Sequence, residues 1–444
     1  MKRLSRPFSL VDTELQTNLP QRHRYGGDHT PSLSEILTER LSAYHEVTTY
    51  LQEAFTRYDG LYVLTAFLLL RFGSGRRDRC ETDLTESEVE LAQALFLKYG
   101  GGRDIPTISS IKEIKHKLKL HMLLFLEATS KPDDSDRANV LSRRRSETLH
   151  VRHTFYPNQA YRIHSAIAAE IDGARLRDFD LTVAEVSLIA FLLAEYLTKA
   201  VGPFVSPCED WLEGKKSPDF NTWLQHFWIP IELLAKAIKK SEEKVNHLLK
   251  EWSHEPGSVV NTKLEYLHLD NPLWGRPLVS SGGRFSGFNP NVFLAFHSDI
   301  LSTVLTSRIP KFSEKLGQAR GTVLEHDLHA LLPRMIPSGE ILQNAKWTDP
   351  ADDRKYESDA IVLIDELMLI FEAKGGALDP KSRRGSQTLM DDLQKLFAEA
   401  AVQSHRLRDV FYSGLEALEF RIGTDTKTIR HSDVKRVARF GVEL

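Results

Sequence analysis

The residues best suited to chemistry lie late in the chain, in ESDAIVLIDELMLIFEAKGG (Glu357–Gly376), where two acids bracket an apolar run and a lysine follows the second acid by two positions. A turn centred between Asp365 and Glu366 pairs Ile364 with Leu367, Ile361 with Ile370 and Asp359 with Glu372. Opposed acids on neighbouring strands sit about 5 Å apart at Cβ and repel, so the arrangement calls for a cation between them. Lys374 falls on the same strand face as Glu372, where its ammonium can hold a hydroxide or an anionic substrate. Acid, acid and lysine together make a compact hydrolytic site. Asp365-Glu366 lacks the glycine that two-residue turns favour, but a four-residue loop over Ile364 to Leu367 has the same centre and keeps the same pairing. Oxygen donors without a neighbouring His or Cys cluster favour a hard ion, Mg²⁺ or Mn²⁺, over zinc.

The elements around this hairpin must supply the remaining groups. Upstream, RGTVLEHDLHALL (Arg320–Leu332) has leucines at 324, 328, 331 and 332, the spacing of one helical face. On that helix Glu325 lies at the border of the apolar face, His326 points away and Asp327 lies off to the other side, which makes Glu325 the acid able to reach the site. EILQNAKW (Glu340–Trp347) is expected as the first strand, and TDPADDRK as the turn into the hairpin. Downstream, a helix starting near Thr388 and Asp391 carries a stripe at Leu389, Leu393, Leu396, Ala400, Leu407 and Val410, with Gln403 in a position where an apolar residue is expected. A buried amide must find hydrogen bonds, either from backbone or from the site.

Asp359, Glu372, Ala373 and Lys374 resemble the D-(x)n-E-x-K core of the PD-(D/E)XK, or restriction-endonuclease-like, nuclease superfamily, over roughly Lys311 to Leu444. That resemblance implies an α-β-β-β-α-β unit and metal-dependent hydrolysis of phosphodiester bonds, DNA being the expected substrate. It implies that Asp359, Glu372 and the Ala373 carbonyl hold the ion, that Glu325 joins directly or through water, and that Gln403 faces the water or the phosphate. Lys374 would orient the nucleophile and stabilise developing charge. Lys381, Arg383 and Arg384 follow the catalytic strand in a Gly-rich loop, with Arg406 on the next helix, as candidate phosphate contacts. Each feature has a plainer reading: E-x-K arises by chance, charged strand faces and basic loops are commonly just solvated, and a nuclease fold can be an inactive scaffold that recruits a partner.

At 444 residues the chain exceeds one ordinary core. The expected plan is an arm over 1–30, a helical region over 31–130, a charged linker over 131–150, a second helical region over 151–310 with a winged helix at 231–270, and an α/β restriction-endonuclease-like domain over 311–444. Net charge is −3, so any nucleic-acid surface must be local; from Lys374 to Leu444 there are 13 Lys/Arg against 10 Asp/Glu. MKRLSRPFSL lacks the apolar stretch of a secretory leader, and the longest apolar run, LYVLTAFLLL (Leu61–Leu70), is half the length needed to span a bilayer. Cys80 and Cys208 suggest neither a disulfide framework nor a zinc module and fit a reducing cytoplasm.

Thr85-x-x-Glu88 and Thr182-x-x-Glu185 are expected capping boxes. IELLAKAIKKSEEKVNHLLKEW (Ile231–Trp252) is patterned as a helix-turn-helix capped at Ser241, with SVVNTKLEYLHL expected to supply strands of a winged helix. Glu242 and Glu243 at the start of its second helix favour a protein-contact or structural role over DNA reading. NPLWGRPLVSSGGRFSGFNPNVFL (Asn271–Leu294) is expected to be a connecting loop, and it matches no phosphate-binding loop. A fusion of helical lobe and nuclease resembles bacterial anti-phage or restriction-type effectors, with nucleic acid as one partner and a protein, or a second copy docking through the lobe, as another. The final VKRVARFGVEL is expected as a last strand.

Overall fold

Thr85 and Thr182 each close the expected capping box, the threonine oxygen accepting the N–H of Glu88 or Glu185 while that glutamate accepts the cap N–H. Two donors that a helix start leaves without partners are thereby satisfied at each site. The computed structural model describes residues 33–72, 84–129, 157–171, 175–176, 180–212, 214–216, 219–376, 382, 388–413 and 416–443. The expected arm and charged linker, Cys80, Lys381, Arg383 and Arg384 lie outside them.

The N-terminal part is helical. In chain order come α1 (Leu33–Arg57), α2 (Gly60–Phe72), α3 (Glu86–Tyr99), α4 (Ile108–Thr129), α5 (Pro157–Ile171), the short pair β1 (Arg175–Leu176) and β2 (Leu181–Thr182), α6 (Val183–Val201), α7 (Val205–Leu212) and α8 (Phe220–Phe227). The apolar run is the buried helix α2, with Val63, Leu64 and Phe67 wholly inside. No described helix is long and apolar enough to cross a membrane. One core joins α1 to α4 with α8, and a second joins α5 and α6 with later elements of the chain. Each encloses a buried histidine group: Thr48, His121 and His268 are linked at 3.0 and 3.2 Å, and His297 bonds Ser187 at 2.9 Å and stacks beside His164.

The expected helix pair forms as α9 (Ile231–Ile238) and α10 (Glu242–Glu251), joined through Lys239 at φ +57 and packed by Val245, Leu248 and Leu249. Ser241 stands at the cap but makes no capping bond. The strands arise elsewhere than expected. Leu264, Leu267 and His268 have helical spacing, and that stretch is α11 (Leu264–Leu269). The sheet instead comprises β3 (Ser253–His254), β4 (Leu278–Ser281) and β5 (Arg284–Ser286), the last two within the segment expected to be loop. Gly282 and Gly283, at φ +58 and +76, form the two-residue turn that closes Ser281 against Arg284. Trp228 bridges Ser286 on the far side of β5.

After α12 (Val292–Ala295) and α13 (His297–Leu305), the C-terminal part is mixed α/β: α14 (Phe312–Met335), β6 (Glu340–Thr348), β7 (Lys355–Ile364), β8 (Leu367–Lys374), α15 (Thr388–Leu393), a π-helical turn (Gln394–Ala398), α16 (Glu399–Tyr412), β9 (Ala417–Ile422), β10 (Asp425–Arg430) and β11 (Arg436–Glu443). Six strands form one sheet in the order β10-β9-β6-β7-β8-β11, antiparallel throughout except for β8 with β11. Three strands thus come after α16 where one was expected, and the last, β11, is the edge strand beside β8. Leu407, Val410 and Phe411 of α16 cover one sheet face; Leu324, Leu328 and Leu332 of α14 cover the other. The first half of α14, at Phe312, Leu316, Ala319 and Val323, belongs to the second helical core.

Candidate active site

The β7–β8 hairpin has the expected register, Ile364 against Leu367, Ile361 against Ile370 and Ala360 against Phe371. Its turn needs no glycine: Asp365 itself adopts φ +50, a conformation that Asp and Asn tolerate better than other side chains. Beyond Ala360 the ladder breaks. On β6, Gln343 pairs with Ala360 and Ala345 with Ser358, yet Asn344 and Asp359 between them form no pair, and Asn344 has φ +49. The pleat reverses at this step. Leu342 and Ala345 are three residues apart but share one core, as do Tyr356 and Ile361, five apart, whereas an unbroken strand would send each pair to opposite faces.

Asp359 and Glu372 therefore do not simply face each other as register alone predicts. The Asp359 carboxylate turns into the strand gap and accepts the N–H of Ala373, while Glu372 hydrogen-bonds Ser358. The Asp359 carbonyl accepts from His329 Nε2 at 2.8 Å. His329 lies four residues beyond Glu325 on α14, one turn along the same face. Sequence reasoning missed it, although that spacing was a usable signal.

The acids remain electrostatically joined. Glu372 is 2 % exposed, and its pKa is pushed up to about 8, first by burial and then by the charge of Asp359, with Ser358 and Lys374 opposing. Asp359 is also raised, chiefly by burial, against the Ala373 N–H and the Lys374 charge. Glu325 is raised by burial and by Asp359. Asp359 raises both other acids, Glu357 raises all three, and Lys374 opposes on all three. As expected, Glu325 is half-buried toward the sheet and His326 is exposed. Asp327 turns aside to a two-pronged bond with Arg162 of α5, at 2.7 and 2.9 Å.

Two glycines set the helix against the strand. A Cβ on Gly375 would lie 2.3 Å from Gly321 N and 2.5 Å from its Cα, so the end of β8 meets α14 backbone to backbone, one turn before Glu325. Any side chain at Gly375 would push the helix away.

The other candidates fall differently. Gln403 is exposed, not buried in the apolar stripe. The π-helical turn adds a residue and rotates the remainder of the helix by roughly 100°, so Ser404, 2 % exposed, takes the inward position with Leu407 and Val410. Arg406 lays its guanidinium 4.1 Å from the centroid of the Tyr356 ring. It lines a groove of about 670 Å³ with Asp349, His405 and Arg439, beside the turn between β6 and β7.

Carboxylate donors suit a hard divalent ion, and buried acids that raise one another's proton affinity are what such an ion relieves. By donor chemistry Asp359 and Glu372 are the candidates to hold it. Glu325 does not close the set in this geometry: among the described residues no three His, Cys, Asp or Glu side chains gather at metal-holding distance. Comparisons with family models, curated proteins and solved structures find no significant match to this chain.

Proposed function

We propose that the C-terminal α/β unit is a divalent-metal-dependent nuclease of the PD-(D/E)XK type, hydrolysing phosphodiester bonds, most readily of DNA. The observation that carries this reading is geometric: at a break in the sheet the Asp359 carboxylate accepts the Ala373 N–H beside the buried Glu372, with Lys374 two residues further along β8 and Glu325 half-buried on α14. The order α14-β6-β7-β8-α15/α16, followed after the inserted β9–β10 pair by a strand parallel to β8, supports it at the level of architecture.

A bound Mg²⁺ or Mn²⁺ would supply Lewis-acid polarisation of the phosphoryl group and a more acidic water. Asp359 and Glu372 would hold it, with the Ala373 carbonyl as a further donor and Glu325, which stops short of the set, acting through a water. Burial of Glu372 strips it of competing water, and Ser358 fixes its rotation. The Lys374 ammonium places the attacking water and offsets negative charge that grows on the phosphate. The helical part, with its α9–α10 pair and the small β3–β4–β5 sheet, is read as the guide that presents a partner or substrate, in the manner of an anti-phage or restriction-type effector in the cytoplasm.

An inactive scaffold is the second reading, favoured by the exposed Gln403 and by the acids that stop short of a three-donor cluster. Incubation of wild type, Asp359→Ala and Lys374→Ala with single-stranded DNA, duplex DNA and RNA, in Mg²⁺, Mn²⁺ or EDTA, decides between them. Metal-dependent cleavage lost in both variants supports the nuclease. Cleavage that survives both substitutions moves the chemistry elsewhere, and none in wild type favours the scaffold.

A further inference from the structure

Asp359 is a rung of the ladder on neither side, since neither Asn344 of β6 nor Glu372 of β8 pairs with it. A half-buried carbonyl in a sheet interior normally has a strand neighbour as donor, and one left bare drags the chain back toward regular pairing. Here the donor comes from outside the sheet. His329 of α14 reaches across with Nε2 at 2.8 Å from the Asp359 oxygen, and because a carbonyl only accepts, that nitrogen carries the hydrogen. The opposite end of the same residue is tied down as well, its carboxylate accepting the Ala373 N–H.

We infer that His329 is a positioning residue: its bond to the Asp359 carbonyl takes the place of the missing rung, holds the ladder open and fixes the carboxylate in the strand gap. The left-handed Asn344 opposite supplies the matching bend in β6. His329 also lies one turn from Glu325, so the helix that brings one acid to the site braces the other. The positioning claim stands on geometry alone; its value for metal binding rests on the nuclease reading. Partners that orient a ligating side chain typically change metal affinity by about 10–100-fold when removed.

Two measurements keep these apart. In metal-free protein, amide exchange at Ala373 reports whether the Asp359 carboxylate is in place. His329→Ala is expected to speed that exchange at least about tenfold while leaving the Ile361 and Ile370 amides, on the intact ladder, unchanged, and His329→Gln, whose amide N–H can reach the same carbonyl, is expected to restore it. Unchanged Ala373 exchange in His329→Ala, or no rescue by Gln, overturns the inference. Calorimetric titration of Mn²⁺ into the same proteins and Asp359→Ala then reads the consequence. Binding weakened about 10–100-fold in His329→Ala and restored in His329→Gln supports the role; wild-type affinity in His329→Ala overturns it. A wild type that takes no Mn²⁺ sinks the metal reading, leaving the exchange result to judge the positioning.

Discussion

Replacing Glu372 by glutamine tests the electrostatics of the site directly. In the folded chain the Glu372 carboxyl titrates at about 8, against an ordinary value of 4.5. Each pKa unit corresponds to about 1.4 kcal/mol, so the shift has a ceiling of roughly 5 kcal/mol. The side chain is 2 % exposed, and little solvent screening reduces that figure. The sign comes from linkage: between pH 4.5 and 8 the folded form keeps a proton that the unfolded chain has released, so metal-free stability falls as pH rises through that window and levels off above it. Glutamine is neutral, nearly isosteric and able to accept from Ser358, and it abolishes this dependence. In EDTA, calorimetric or denaturant unfolding at pH 5, 7 and 9 should show Glu372→Gln gaining on wild type by about 2–4 kcal/mol from the lowest pH to the highest. Adding Mn²⁺ should raise wild type most at alkaline pH, where the proton no longer competes, and leave the variant unmoved. Parallel stability profiles for the two proteins would refute the reasoning, because they would mean that Glu372 ionises as freely folded as unfolded.

Gly375→Ala should lower stability by about 1–3 kcal/mol and weaken Mn²⁺ binding in calorimetry, since its new methyl group meets the rigid backbone of Gly321. Gly376→Ala, whose Cβ would meet only the flexible end of Leu396, should do less. The helical part should be acid-sensitive: burial lowers His121 to about 3 and His164 to about 4, with His268 and His297 also well below their usual value. Unfolded chains take up protons below about 6.5, so stability is expected to drop as pH falls from about 6.5 toward 4. Circular dichroism of Glu372→Gln, in which the opposing Glu372 proton is absent, that shows no lower melting point at pH 5 than at pH 7 would contradict this.

Much of the site's framework is legible in the sequence because it depends on short-range periodicity. The hairpin register comes from apolar residues symmetric about Asp365-Glu366, and the orientation of Glu325 from leucine spacing on α14. The features that escape depend on single backbone departures. A left-handed Asn344 and one π-helical turn each displace a period by one residue; asparagine tolerates that conformation, but nothing in the alternation marks this one as adopting it, and nothing announces the π turn. The first turns Asp359 out of the expected facing pair; the second exchanges Gln403 for Ser404. The hairpin at Gly282-Gly283 is readable in principle, since adjacent glycines between alternating residues are a strong turn signal. The loop-like composition on both sides masks it. His329 is a different case: its spacing from Glu325 places it on the same face of α14, but its partner is a main-chain carbonyl, which no side-chain pattern identifies.

The 24 residues of α14 give a rod about 36 Å long, and its two ends are sunk in different cores. Where it crosses the tip of β8, the bare Gly321–Gly375 contact leaves no side chain to cushion or lock the crossing. That contact is a fulcrum. A tilt imposed on the first half, through Phe312, would move Glu325 and His329 together relative to the strand gap, while the Arg162–Asp327 clasp, set between those two residues in the chain, restrains the half of the helix that carries them. Severing the chain near Lys311 would bare Phe312 and Leu316 and leave the first half of α14 without the helical core it packs against.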